Sequence, residues 1–280
     1  MRQQGGEFSE GDFGCVVHPG LSTAVNPQSV VTKIFKDRSD KMREDHINEL
    51  IDLHFPNDFI VKPVKDIINP QGNPEIRQCR IGQDRHPVTN SEIVRYSINY
   101  QYLGKTYRDI FIEGSTKEEI KALIVLTLKV IDMNILGFSH NDIDPKNITY
   151  KDGKAYLIDI GSFTYRPGEH LFQDVFDLLN IAYRYGVGIG ETYRTRLQRF
   201  TAISIKDRHI QDIKILLLEI LSPVQGTAPR LQLINRNVEQ GYKAGGANAG
   251  GVRRRINRTK KRTKAKTRSK AKKSLRNTLI

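Results

Sequence analysis

The stretch HNDIDPKNI, residues 140–148, places Asp142 and Asp144 two apart and Asn147 five residues past Asp142. A carboxylate beside a substrate hydroxyl can orient it and accept its proton. An asparagine amide oxygen and a second carboxylate are hard oxygen donors of the kind Mg2+ takes. A candidate second carboxylate, Asp159, follows Asn147 by twelve residues in the segment IDIG. Near the start of the chain, Gly11 and Gly14 bracket Phe13 ahead of Val16, and Lys33 lies in VVTKIFK. Glycines let backbone N–H groups approach a phosphate without a Cβ in the way. Each feature alone is common: a glycine pair usually makes a hairpin, and a strand lysine usually faces solvent. Together they supply what phosphoryl transfer requires, namely metal ligands, a cationic phosphate clamp and an acid that orients the nucleophile.

These residues need elements to position them. Short β-branched runs, FGCVVHP and SVVTKIFK, predict strands carrying Gly14, Val16 and Lys33. DRSDKMREDHINELIDLH has Met42, Ile47, Leu50 and Ile51 at helical spacing before Pro56. DFIVKPVKDII, EIRQCRI and EIVRYSINYQYL predict further strands, separated by loops rich in Pro, Gly and Asn. Past Gly104 the period becomes helical. A wide apolar face predicts a central helix over roughly 116–136, opened by a capping box at Ser115/Glu118 or Thr116/Glu119. A short strand, KAYLIDIG, follows the Asp142 loop, and LFQDVFDLLNIAYRYG and SIKDRHIQDIKILLLEIL predict two more helices.

The combined pattern resembles the eukaryotic protein kinase superfamily over about residues 5–222. His140, Asp142 and Asn147 match the catalytic loop H-R-D-x-x-x-x-N, with Asn141 in place of the arginine. Asp159-Ile160-Gly161 matches D-F-G. Gly11, Gly14 and Val16 match the glycine-rich loop, with Ser9 in place of its first glycine, and Val30-Val31-Thr32-Lys33 matches V-A-I-K. More narrowly, GGEFSEGDFGCVVHPGL followed by VTKIF is similar to serine/threonine protein kinase-like chains of large nucleocytoplasmic DNA viruses, which often carry basic tails. The resemblance implies an α+β, bilobal kinase-like fold, with a β-rich lobe over 1–103 and a helical lobe over 104–242. It implies ATP and Mg2+ as cofactors and a protein substrate. Lys33 would contact the nucleotide phosphates, with Glu44 as its preferred partner and Glu49 as the alternative. Asp142 would orient and deprotonate the acceptor, Asn147 and Asp159 would hold Mg2+, and INYQYLG would form the hinge beside the adenine. His140 would be structural.

Two departures bear on the reading. Asp144 stands where kinases of this type place a lysine; Lys146 could supply that charge, or Asp144 could make a local turn hydrogen bond. The segment from Asp159 to Asp174 is only fifteen residues and holds no A-P-E motif. That shortness is similar to small-molecule kinases of the aminoglycoside and choline type, and Asp174 or Asp177 could tie down the catalytic loop. Two further readings therefore stay open: a small-molecule phosphotransferase, and an inactive kinase fold serving as a nucleic-acid-associated scaffold.

The 280 residues carry a net charge of +14, unevenly placed. From Arg253 onward there are 14 Lys and Arg and no acid; removing those 14 from the 45 in the chain leaves 31, against 31 Asp and Glu. The body is formally neutral. The tail, 252–280, follows a Gly/Ala linker at 243–251 and is expected to be disordered. Its basic stretch, 253–276, is a candidate nucleic-acid contact, and the absence of aromatics argues against base stacking there. No apolar run approaches the ~20 residues that span a bilayer, and the N-terminus lacks an apolar signal core. With only Cys15 and Cys79, no disulfide framework is expected and a reducing, intracellular setting is the default; Cys15 reads as a small buried apolar residue. The resemblance adds host cytoplasm, nucleus or virion as settings.

Overall fold

The structure is a computed structural model, and it describes residues 7–10, 14–23, 25–55, 59–71, 76, 78–81, 86–186 and 189–222. These belong to one compact unit, Met1–Pro223. The second unit, Val224–Ile280, lies outside the described residues, as do the linker, the basic tail and Gly11.

The fold is mixed helix and sheet. Strands β1 (Glu7–Glu10), β2 (Gly14–His18) and β3 (Val30–Phe35) run antiparallel. Helix α1 (Arg38–His54) follows, its start capped by Asp37, whose side chain accepts from Asp40 N. Two-residue strands β4 (Arg80–Ile81) and β5 (His86–Pro87) pair with each other. Then come α2 (Asn90–Tyr96) and β6 (Ser97–Gln101), which completes a four-stranded sheet in the order β1-β2-β3-β6.

Helices dominate the rest: α3 (Tyr107–Glu113) and α4 (Lys117–Ile135), with Thr116/Glu119 forming the capping box of α4. After α4 come β7 (Phe138–Ser139), the hairpin β8 (Ile148–Lys151) and β9 (Lys154–Leu157), and β10 (Thr164–Tyr165), which pairs with β7. Three helices follow: α5 (Gln173–Tyr185), α6 (Glu191–Thr201) and α7 (Asp207–Leu221). The main core gathers Leu123, Ile124, Val130 and Ile131 of α4 with Leu178 and Leu179 of α5 and Leu216 and Leu217 of α7. At about 1.5–3 kcal/mol for each fully buried aliphatic side chain, this contact is what holds α4 central.

Several expectations need correction. EIVRYSINYQYL is not one strand. Thr89 and Glu92 form a capping box, so Asn90–Tyr96 is helical and the strand starts only at Ser97. Among its described residues DFIVKPVKDII forms no strand; Ile60, Pro63 and Ile68 make isolated bridges. Pro63 has no N–H to give a ladder, which interrupts any continuous pairing. Among the described residues of EIRQCRI, only Arg80–Ile81 is a strand. Cys15 and Cys79 are not free thiols: they are disulfide-bonded, with Cα atoms 5.9 Å apart and both side chains fully buried. The bond sits in a separate apolar cluster with Leu21, Ile34, Ile76, Ile81 and Ile93. Chain pairing cannot be read from two cysteines 64 residues apart, because it depends on the fold bringing β2 and the start of β4 together. Among the described residues, no helix is long and apolar enough to cross a membrane.

Candidate active site

Lys33 comes from β3, where its partner in β2 is Val16 and its partner in β6 is Ile98. Its ammonium lies 2.7 Å from Glu44 Oε2 and 2.8 Å from Asp159 Oδ1. Glu44 faces it because of helical period: Glu44, Ile47, Asn48 and Ile51 are the buried positions of α1, spaced i, i+3, i+4, i+7. Glu49 falls on the opposite side, its side chain 80% exposed near His46. Glu44 is therefore the acid that meets Lys33.

Burial would drive Lys33 toward its neutral form, but Glu44 and Asp159 outweigh it and hold the ammonium above its ordinary value. Burial also raises the Glu44 carboxyl, and Lys33 and a hydrogen bond from Tyr100 pull back only part of that rise. At Asp159 burial acts upward too, but the charge and hydrogen bond of Lys33 win, and the carboxyl sits below its ordinary value. The two acids flanking one cation thus differ in how readily they take a proton.

Asp142 and Asn147 are joined directly. Asn147 Nδ2 donates to Asp142 Oδ2 at 2.8 Å and to Asp142 O at 3.0 Å. With its nitrogen so committed, the Asn147 amide has its oxygen to offer a cation. The hairpin brings the Asn147 backbone next to the residue that precedes Asp159. Asp152 and Gly153, both at positive φ, turn β8 into β9, and Ile158 N then donates to Asn147 O at 3.0 Å. Asn147 and the residue before Asp159 are therefore backbone neighbours. Asp159 itself is left-handed, at φ 57°, and Asn141 at φ 62°.

The Asp142 loop is fastened from below by Asp174, which is 1% exposed. Its carboxylate accepts from His140 N at 2.7 Å, Asn141 N at 3.0 Å and Asn134 Nδ2 at 3.0 Å. Asp177 does not reach the loop; it pairs with Gln173. His140 is fully buried, and its Nε2 is 2.9 Å from Ile158 O, a packing position beneath the loop. Asp144 accepts from Lys146 N at 2.9 Å and caps the short turn Pro145–Asn147, the local role such a residue commonly takes. Asn141 Nδ2 lies within hydrogen-bond distance of Ser139 O, Ser162 O and Thr164 Oγ1, and so binds the short segment after Asp159 to the loop.

Gly14 has a packing role. A Cβ there would sit 2.1 Å from Ile34 O, so only glycine lets β2 approach β3 at this point. Sequence reasoning passed over Tyr100 and Asn48, which complete the network around Glu44. Asn48 could have been found by its i+4 spacing from Glu44; Tyr100 had no local signal.

A Mg2+ with nucleotide fits this donor set. Among the described residues, no cluster of three or more His, Cys, Asp or Glu could hold a metal alone. Mg2+ commonly takes one or two protein oxygens and fills its shell with phosphate and water, which suits one amide and one carboxylate. Two surface cavities, of about 440 Å3 beside α4 and about 530 Å3 beside the start of α5, are lined by none of these residues. The chain matches no protein-family model and no curated protein.

Proposed function

We propose that this chain is an ATP- and Mg2+-dependent phosphotransferase of the bilobal protein kinase-like type, acting on hydroxyl groups of a protein. The observation that carries the reading is the convergence of Lys33, Glu44 and Asp159 within hydrogen-bond distance, with Asp142 and Asn147 coupled on the adjoining loop. These residues are distant in sequence, and a scaffold has no need to gather them.

In this reading Asn147 and Asp159 hold Mg2+, which when bound neutralises phosphate charge during transfer. Lys33, steadied by Glu44, presents its ammonium to the phosphates. Asp142 accepts a hydrogen bond from the acceptor hydroxyl and takes its proton, while Asn147 Nδ2 fixes the carboxylate's direction. Asn141 and Asp174 keep the loop in that arrangement without any added charge on the short segment after Asp159. The basic stretch 253–276 supplies a sequence-independent attraction to nucleic acid, with log K falling by about 0.9 per phosphate contact per decade of salt.

The test is transfer of labelled phosphate from Mg-ATP to mixed protein acceptors. Wild type should transfer and Asp142→Asn should not, while Mg-ATP still raises the melting temperature of Asp142→Asn. Transfer to a small alcohol or aminoglycoside, with none to protein, would move the reading to small-molecule kinases. Absence of both transfer and a nucleotide-dependent melting shift in wild type would end it. Ending the chain at Gly251 should abolish DNA binding and leave the nucleotide response intact.

A further inference from the structure

Glu44 uses only one carboxylate oxygen on Lys33. The other, Oε1, accepts from the hydroxyl of Tyr100 at 2.8 Å. Tyr100 lies in β6, opposite Val31 of β3, and is 5% exposed. Asn48, one turn along α1 from Glu44, donates its Nδ2 to the same phenol oxygen at 2.9 Å. A phenol has one proton to give. With an oxygen lone pair filled by Asn48, that proton goes to Glu44. The phenol thus grips α1 at two points one turn apart and turns the Glu44 carboxylate so that its free face meets Lys33.

The arrangement also carries a cost to stability. Asn48 Oδ1 is buried with no hydrogen-bond partner. An orphaned buried polar atom is unfavourable, and replacing both members of such a pair with apolar groups is often neutral or stabilising. A phenylalanine in β6 facing a leucine in α1 would remove both of these polar groups and take from Glu44 Oε1 only its phenol donor. The burial of Tyr100 and the nearby Glu44 charge raise the phenol far above its ordinary value, so it remains a donor throughout the working pH range.

We propose that Tyr100, oriented by Asn48, is a positioning residue: it directs the Glu44 carboxylate onto Lys33 and so sets the direction in which the Lys33 ammonium points. The proposal deepens the phosphotransfer reading and rests on it for its kinetic consequence.

The experiment compares Tyr100→Phe, Tyr100→Phe/Asn48→Leu, and Tyr100→Phe placed on Glu44→Gln. Three readouts are taken: urea stability, steady-state phosphotransfer, and the rate at which an amine-reactive reagent labels Lys33, read by peptide mass spectrometry. Tyr100→Phe should lower kcat about tenfold or more with KM for ATP within about threefold, because Glu44 keeps its charge and its ion pair with Lys33. Lys33 labelling should rise several-fold. The Asn48→Leu partner change should recover part of the lost stability without restoring kcat or slowing the labelling. On Glu44→Gln, Tyr100→Phe should add little, since the two act through one group. Recovery of kcat together with stability in the double variant would reduce Tyr100 to a packing residue and overturn the proposal, as would unchanged Lys33 labelling in Tyr100→Phe. Wild type without transfer would sink the phosphotransfer reading alone, because the labelling comparison still decides what Tyr100 does.

Discussion

Replacing Asp174 by Asn should loosen the Asp142 loop by an amount the geometry sets. The carboxylate accepts three hydrogen bonds: Oδ2 takes His140 N and Asn134 Nδ2, and Oδ1 takes Asn141 N. An asparagine keeps one oxygen. Turned to serve His140 and Asn134, it presents its NH2 to Asn141 N, donor against donor. One part-buried N–H then loses its partner, at about 1–3 kcal/mol. For a folded body of this size each kcal/mol corresponds to about 2–4 °C in Tm, so a loss of about 2 kcal/mol should lower Tm by about 4–8 °C. Alanine leaves both His140 N and Asn141 N without a partner, while Asn134 Nδ2 keeps Phe138 O, and should cost about twice as much. Urea titration with unchanged m gives the free energy, and scanning calorimetry gives the Tm. Asp177→Asn is the control. Its partner Gln173 lies on the same helix four residues earlier, so its effect should stay within about 0.5 kcal/mol. Equal effects at Asp174 and Asp177 would refute the claim that three donors converge on the buried Asp174.

Further outcomes follow from other contacts. Reducing the Cys15–Cys79 bond, which joins residues 64 apart, should lower stability by about 2–4 kcal/mol through unfolded-chain entropy, and identical urea midpoints for oxidised and reduced protein would contradict it. Glu44→Gln should sharply weaken the Mg-ATP-dependent melting shift, whereas Glu49→Gln, on the exposed side of α1, should leave it unchanged. Glu92 is held near a pKa of about 2 by hydrogen bonds from His86 and Thr89, against an ordinary 4.5. A depressed carboxyl contributes stability that is present above its unfolded pKa and lost as pH falls through the folded value. Wild type should therefore lose more stability between pH 4.5 and pH 2 than Glu92→Gln, measured by urea midpoints across that window.

What could be read without a structure were the features that depend on local chemistry. The 3.6-residue period of α1 already contained Ile47 and Ile51, and hence the facing of Glu44. The capping box Thr116/Glu119 and the apolar face behind it specified α4 to within a residue at each end. The spacing of Asp142, Asn147 and Asp159 across a hairpin with an Asp-Gly turn is likewise local, since β8 and β9 are adjacent in the chain. Misreadings arose where a local signal pointed to two structures. Thr89 with Glu92 caps a helix inside a run rich in β-formers, and the backbone donors it satisfied decided for helix up to Tyr96.

Long-range convergence was decided by the tertiary structure alone. Lys33 and Asp159 stand 126 residues apart and meet at 2.8 Å. Tyr100 finds Glu44 across 56 residues, Asp174 finds His140 and Asn141 across 34 and 33, and Cys15 finds Cys79 across 64. The residues around one member of these pairs do not name the other, and only the family resemblance pointed to Lys33 and Asp159 around one nucleotide and to Asp174 or Asp177 at the loop; closing such loops carries an entropy penalty that no single contact offsets. The packed core around α4 offsets it collectively, and the polar partners are then set by where the buried faces leave them.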